Sequence, residues 1–133
     1  MKNVLILCTG NSCRSIIAEA LINSKLGSCV VAQSSGVQAS GTVNPHAQKL
    51  LEARGYWRDS YHSKLIDTVI DTAFDLVITV CDHANETCPV FPKAVKTLHI
   101  GFDDPSGKAL SEYAKTLDLI ESELLPIVKS ELC

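Results

Sequence analysis

The stretch Asn3-Val4-Leu5-Ile6-Leu7-Cys8-Thr9-Gly10-Asn11-Ser12-Cys13-Arg14-Ser15-Ile16-Ile17 decides how this chain folds. Asn3–Cys8 is an apolar run with no polar alternation, the pattern of a strand buried on both faces. A polar, glycine-containing turn follows, and Ile16, Ile17, Ala20 and Leu21 then recur at helical spacing up to Gly27. Working outward, a second strand is expected over Cys29–Gln33 and a Gly- and Ser-rich connection over Ser34–Thr42. Asn44-Pro45 supplies an N-cap and a proline at the first helical position of a helix running to Gly55. Leu65, Ile66, Val69, Ile70 and Ala73 predict another amphipathic helix, Asp75–Cys81 a strand without a wet face, and Val95–Ile100 a fourth strand. Over Ala109 to Lys129, Leu110, Tyr113, Ala114, Leu117, Ile120 and Leu124 predict a last helix, ended or kinked by Pro126. This alternation predicts a doubly wound α/β fold: a parallel sheet with helices on both faces, joined by right-handed crossovers. Ligands in such sheets sit beyond the carboxyl ends of the strands, so the loops after Cys8, Cys81 and Ile100 are where chemistry is expected.

The chain has 133 residues, 46% of them hydrophobic, and a net charge of -3 from 12 Lys+Arg against 15 Asp+Glu. One domain over residues 1–133 is the expected organisation, since a chain of this size buries roughly two-thirds of its unfolded surface without covalent staples. Disordered and collagen-like classes are excluded. The mild negative charge argues against nucleic acid as a partner, which needs a basic face. No apolar run approaches the roughly 18–20 residues that cross a bilayer, so no membrane association is expected. The opening apolar run ends at Thr9–Ser12 and meets Arg14 without a small-residue cleavage site, so it reads as a strand and the protein as cytoplasmic. In that reducing compartment the six cysteines (Cys8, Cys13, Cys29, Cys81, Cys88, Cys133) point to catalysis or metal binding more than to structural disulfides.

In Cys8-Thr9-Gly10-Asn11-Ser12-Cys13-Arg14-Ser15 a cysteine ends a strand and an arginine follows six positions later, where a helix begins. Successive backbone N–H groups of such a loop, with the helix N-terminus, form a nest for a tetrahedral oxyanion or a thiolate. Arg14 can hold two oxyanion oxygens at once, which a lysine point charge does not reproduce. Gly10 is expected to let the backbone approach the anion. Ser15 is expected to donate its hydroxyl to the Cys8 sulfur. Together these effects predict a Cys8 pKa below the free value of about 8.5. A lone strand-end cysteine is more often a buried structural thiol. The joint occurrence of strand, C-x5-R-S spacing, glycine and helix outweighs that reading.

This loop resembles the anion loop of the low-molecular-weight protein tyrosine phosphatases and of the arsenate reductases that share their fold. The resemblance covers nearly the whole chain, with Ser35-Gly36, Asn44-Pro45, Asp75–Cys81 and Gly101-Phe102-Asp103-Asp104-Pro105 in the same order. It implies a four-stranded sheet of order 2-1-3-4. It also implies Cys8 as nucleophile, residues Thr9 to Ser15 as the oxyanion cradle, Arg14 as its clamp and Asp104 as the general acid, with Asp103 shaping the turn; the two aspartates could exchange roles. No cofactor is implied.

Cys81, ending a strand beside Cys8, and Cys88, seven residues on and followed by Pro89, are thiols a phosphatase does not need. This pair, with Gly-Phe-Asp-Asp-Pro downstream, looks like a thioredoxin-coupled arsenate reductase acting as a monomer. The implied relay runs from Cys8 to Cys81 to Cys88, and thioredoxin then regenerates the thiols. Residues seven apart in a helix lie about 10.5 Å apart along the axis. A disulfide needs Cα atoms within about 7 Å. A helical Cys81–Cys88 segment must therefore open on oxidation, and Pro89 is expected to end that helix abruptly. Two alternatives stay open: a phosphatase, and a non-enzymatic module binding arsenite or a soft metal through its cysteines. Against the phosphatase, Pro105 is followed by Ser106-Gly107-Lys108 rather than by aromatic residues, and Tyr113 lies far along. Against zinc, the cysteine spacings are not those of C-x2-4-C pairs.

Asn11 is expected to brace the loop through neighbouring backbone or Ser34. In some reductases of this family a potassium ion sits behind the loop on oxygens matching Asn11, Glu19 and Ser34. Here His62 and Lys64 stand where further oxygen ligands would be, so the Lys64 ammonium is a candidate to occupy the ion's place, with a solvated lysine as the alternative. No metal is expected at the site. Cys13 could bridge Cys8 off the pathway or simply pack, Cys29 reads as core, and Cys133 as an exposed accidental thiol.

Overall fold

The computed structural model describes residues 1–88, 91 and 94–133. The elements run β1 (Lys2–Cys8), α1 (Arg14–Lys25), β2 (Val30–Gly36), α2 (Pro45–Arg54), a 3-10 turn (Ile66–Thr68), β3 (Leu76–Thr79), α3 (Asp82–Glu86), β4 (Lys96–His99), α4 (Leu110–Glu123) and α5 (Leu125–Leu132). The strands form one parallel sheet of order β2-β1-β3-β4. Val4 to Cys8 are all buried, and because successive strand side chains point to opposite faces, both faces of β1 are covered. α1 packs on β1 and β2 and against α2 and α4, and α3 packs on β1 and β3. Among the described residues no helix is long and apolar enough to cross a membrane.

Local signals placed most of these elements. Asn44 caps α2, its Oδ1 accepting from the His46 and Ala47 amides at 2.9 and 3.4 Å, with Pro45 in the first turn. Gly55 closes that helix at φ 78°, in the left-handed region glycine tolerates.

Four expectations are corrected. β2 runs on through Ser34, Ser35 and Gly36, because these residues pair with Ile6, Leu7 and Cys8 rather than forming a loop. The helix expected from Leu65 to Ala73 is only the short 3-10 turn. Ile66 and Val69 are buried three apart, and that spacing serves a three-residue turn as well as a helix. The C-terminal helix is two: Pro126 sits in the first turn of α5, where its missing N–H is not needed, and Leu110 is exposed rather than on the buried stripe of Tyr113, Leu117, Ile120 and Leu124. Finally, Cys29 and Cys133, expected to be a core thiol and an accidental surface thiol, are joined in a disulfide with Cα atoms 5.9 Å apart. α5 brings the chain end beneath the starts of the strands, where Lys96 of β4 also meets Glu131 at 2.8 Å. A separation of 104 residues leaves no local trace of that pairing.

Candidate active site

β1, β3 and β4 deliver three loops to one end of the sheet. The loop after β1 is turned so that its carbonyls face away from the cradle. Cys8, Thr9, Gly10 and Ser12 oxygens accept from the Val37, Gln38, Ser40 and Asn44 amides at 2.8–3.1 Å. The Ser63 hydroxyl also donates to the Gly10 oxygen at 3.0 Å. With the carbonyls so occupied, the loop's own N–H groups are left to line a hollow of about 190 Å³ bounded by residues 8–14, Asp104 and Ser106.

Asn11 holds this shape. Its side chain is fully buried and its φ is 47°, a left-handed conformation that asparagine tolerates better than most residues. Nδ2 donates to Ser15 Oγ at 2.8 Å and to Ser34 Oγ at 2.9 Å, and Oδ1 accepts from the Lys64 amide at 2.9 Å. Ser34 passes the chain on, donating to Glu19 Oε1 at 2.6 Å. Burial pushes the Glu19 carboxyl up, against the Ser34 hydrogen bond and the positive charges of Lys64, His62 and Arg58. Lys64 thus braces the loop through its backbone. Among the described residues its ammonium forms no ion pair with Glu19, although its charge acts on that carboxyl.

The glycine this loop most depends on is Gly36 rather than Gly10. A Cβ at Gly36 would lie 2.5 Å from the Thr9 oxygen and 3.1 Å from Asn11, whereas one at Gly10 would meet only Ser12 Oγ at 3.5 Å. Nothing local marks Gly36 or Ser63 as loop supports, since both act across the sheet end.

Arg14 starts α1 and is mostly buried. Its Nη1 donates to the Phe102 carbonyl at 3.0 Å and its Nη2 lies 3.7 Å from Asp104 Oδ2. Asp104 Oδ1 accepts from the Ser106 amide at 2.9 Å. Burial raises this carboxyl, but the hydrogen bonds from Ser106 with the charges of Arg14 and Lys108 outweigh it and hold the group below the usual aspartate value. Asp104 is therefore a carboxylate near neutral pH.

Cys8 ends β1, whereas Cys81, expected to end the third strand, lies two residues beyond β3 as the N-cap of α3, beside the loop that follows Cys8. Both are buried, and Thr9 Oγ1 lies 3.1 Å from Cys81 Sγ. The expected low pKa is found on the other sulfur. The Cys8–Cys81 hydrogen bond holds Cys81 down to about 5, against burial and with help from the Thr9 hydroxyl, the Ala84 amide and Arg14. The same hydrogen bond, and then burial, push Cys8 above the ordinary thiol range despite Arg14. The two thiols titrate as a coupled pair in which Cys81 is the more acidic sulfur. Ser15, expected to donate to Cys8, accepts from Asn11. Cys13 is buried and pushed up to about 12, first by burial and then by Asp104.

Cys88 lies half-buried just beyond α3, a helix of only five residues, and burial raises its thiol. Pro89, expected to stop this helix, lies outside the described residues. A larger cleft of about 500 Å³ opens between the loops, lined by Thr9, Arg14, Cys81, Asp82, His83 and residues 101–104. Tyr113 is not on it. That ring is buried in α4, accepting from Asn44 Nδ2 at 3.0 Å. Among the described residues no three His, Cys, Asp or Glu side chains converge as a metal site.

Residues 3–131 match the model of the low molecular weight phosphotyrosine protein phosphatase family, and the chain belongs to that family. Within it, the similarity reaches proteins named for a different reaction. The chain is 42% identical over 123 residues to "Arsenate reductase 1" of Staphylococcus epidermidis, covering 92% of each chain. The crystal structure of an arsenate reductase from Archaeoglobus fulgidus superposes with a TM-score of 0.80 at 32% identity, over 95% of this chain and 98% of that one. A thioredoxin-dependent arsenate reductase of Corynebacterium glutamicum superposes with a TM-score of 0.74 at 27% identity, over 97% of this chain and 62% of that one.

Proposed function

We propose that this chain is an arsenate reductase that works through the thiols Cys8, Cys81 and Cys88 and is re-reduced by thioredoxin. The observation that carries this reading is a second buried thiol, Cys81, set beside the Cys8 loop at the mouth of an oxyanion cradle, 3.1 Å from the Thr9 hydroxyl. Ester hydrolysis returns its nucleophile unchanged and has no use for a second sulfur. Reduction of As(V) takes two electrons, which two thiols supply by becoming a disulfide.

The steps balance as arsenic acid plus two thiols giving arsenous acid, one disulfide and water. Residues 9–15 and Arg14 hold the oxyanion, and Cys8 sulfur attacks arsenic while one oxygen departs as water, its proton passing through Asp104. Cys81 sulfur then attacks Cys8 sulfur. The S–As electron pair stays with arsenic, so arsenite leaves and a Cys8–Cys81 bond remains. Cys88 attacks Cys81, freeing Cys8 and placing the disulfide across the α3 segment, where a dithiol protein removes it. Arg14 engages the Phe102 carbonyl through one of its five N–H groups, so donors remain for two oxyanion oxygens. We place the enzyme in the cytoplasm, as one domain acting as a monomer. Slow phosphate ester cleavage is an expected side reaction, since the same cradle accepts phosphate.

The test is steady-state NADPH oxidation coupled through thioredoxin reductase and thioredoxin. Arsenate-dependent turnover is expected to vanish in Cys8→Ser, Cys81→Ser and Cys88→Ser alike, with Cys88→Ser completing one turnover and trapping a Cys8–Cys81 bridge. A protein that cleaves aryl phosphates at full rate and ignores changes at 81 and 88 would overturn the reading.

A further inference from the structure

Cys81, between β3 and α3, is held from both sides. Thr79, two residues before it, is fully buried, and its Oγ1 lies 2.8 Å from Nδ1 of His99, the last residue of β4. Across the same ring, Nε2 lies 3.0 Å from Oδ1 of Asp82, the residue after Cys81 and the first of α3. An ionised carboxylate only accepts, so Nε2 carries a hydrogen toward Asp82, while Nδ1 pairs with the Thr79 hydroxyl, which also lies 3.5 Å from the Leu98 carbonyl. The hydrogen-bonded chain Thr79–His99–Asp82 therefore grips the backbone on both sides of Cys81. Gly101 leaves just enough room for it: a Cβ there would lie 3.2 Å from Nε2 and 3.6 Å from Asp82 Oδ1.

Stability alone explains this arrangement poorly. The Asp82 side chain is 89% exposed, and a hydrogen bond to so exposed a group contributes little to folding. Its effect is geometric. At the far end of α3, Thr87 bonds back to the His83 carbonyl through both its amide (3.0 Å) and its hydroxyl (2.7 Å), contacts that move with the segment.

We propose that His99 is a positioning residue for the relay. With Thr79 and Asp82 it clamps the entry to α3, keeping the Cys81 sulfur at Cys8 while the rest of the segment opens toward Cys88. This rests on the relay read above, and the experiment separates the two. In the Cys88→Ser protein, formation of the Cys8–Cys81 bridge is timed by acid quench and mass spectrometry, once with arsenate and once with diamide. Diamide is an azo oxidant that takes the two thiol hydrogens and becomes a hydrazine. His99→Ala and Gly101→Ala are each expected to slow bridging about 10-fold in both arms. His99→Gln, whose amide can replace the Nε2 donor, should stay within about twofold of the parent. With all thiols present, onward transfer to Cys81–Cys88 should change by less than about twofold in the same variants.

Bridging at the parent rate in both alanine variants overturns the clamp, as does a His99→Gln protein no faster than His99→Ala. Equal slowing of bridging and transfer marks general loosening and overturns it too. If His99→Ala does not fold, Gly101→Ala carries the test. A parent that bridges with diamide and not with arsenate refutes the arsenate reaction, and the diamide arm still decides the clamp.

Discussion

Replacing Asn11 by alanine should cost this protein much of its stability, and the size of the loss can be worked from the contacts. The side chain makes three buried hydrogen bonds, to Ser15 Oγ, to Ser34 Oγ and from the Lys64 amide. Each is worth about 1 kcal/mol net, with the stranded Lys64 N–H adding to the loss. At a φ of 47° alanine also pays a left-handed penalty of about 1 kcal/mol that asparagine partly escapes. The expected loss is about 4 kcal/mol against a total of about 5–15 kcal/mol for a domain. In melting temperature that is about 15 °C for a chain of this length. Asn11→Gly loses the same hydrogen bonds without the backbone penalty, so it should be the more stable of the two by about 1 kcal/mol. Urea unfolding of the three proteins measures both differences. An alanine variant within about 1 kcal/mol of the parent, or a glycine variant less stable than alanine, would refute the view that this side chain holds the loop.

Iodoacetamide at pH 6 should label Cys81 before Cys8, because Cys81 titrates near 5 while Cys8 keeps the shared proton; Thr9→Val, which removes the hydroxyl at 3.1 Å, should move the Cys81 labelling midpoint to higher pH. Equal labelling of both sulfurs across pH 5–8 would contradict that assignment. Glu19 has a folded pKa raised by burial, so the folded state binds more protons than the unfolded one above pH 4.5 and stability should fall as pH rises through that window. Glu19→Gln keeps an acceptor for Ser34 and should lack this slope in urea titrations at pH 4.5 to 7. Cys133→Ser opens a link spanning 104 residues and should lower the stability of the oxidised protein by about 3–5 kcal/mol. Dithiothreitol should bring the parent down to the variant, with arsenate turnover unchanged in either case.

What could be read along the chain was whatever neighbours in sequence decide. Asn3–Cys8 declared a strand by its unbroken apolar run, Asn44-Pro45 and Gly55 marked both ends of α2, and Cys8 to Arg14 carried its chemistry in its spacing. Ile66 and Val69 misled because a period of three fits both a helix and a single tight turn. The cradle's supports were harder still. Ser63, Gly36 and the Lys64 amide act on residues 9–11 across the sheet end, and their own neighbourhoods say nothing of it. The Cys29–Cys133 link is the extreme case, set entirely by where α5 returns the chain.

The same limit explains why the sequence predicts a lowered pKa for Cys8 and is silent on Cys81. The cradle, Arg14 and the helix start all favour a thiolate on Cys8, and a reading confined to residues 8–15 contains nothing else. A second thiol at hydrogen-bonding distance changes the outcome, because two sulfurs cannot both ionise cheaply in a buried site. Cys8 is then held protonated beside the more acidic Cys81, while Asp104 is a carboxylate. On the proposed reaction that distribution is useful at each step. When Cys8 attacks arsenic it sheds the proton the departing oxygen requires, and Asp104, already a carboxylate 3.7 Å from Arg14, can carry it across. Once arsenic occupies Cys8, the sulfur that must act next is already beside it. A phosphatase has a use for the first of these features and none for the second.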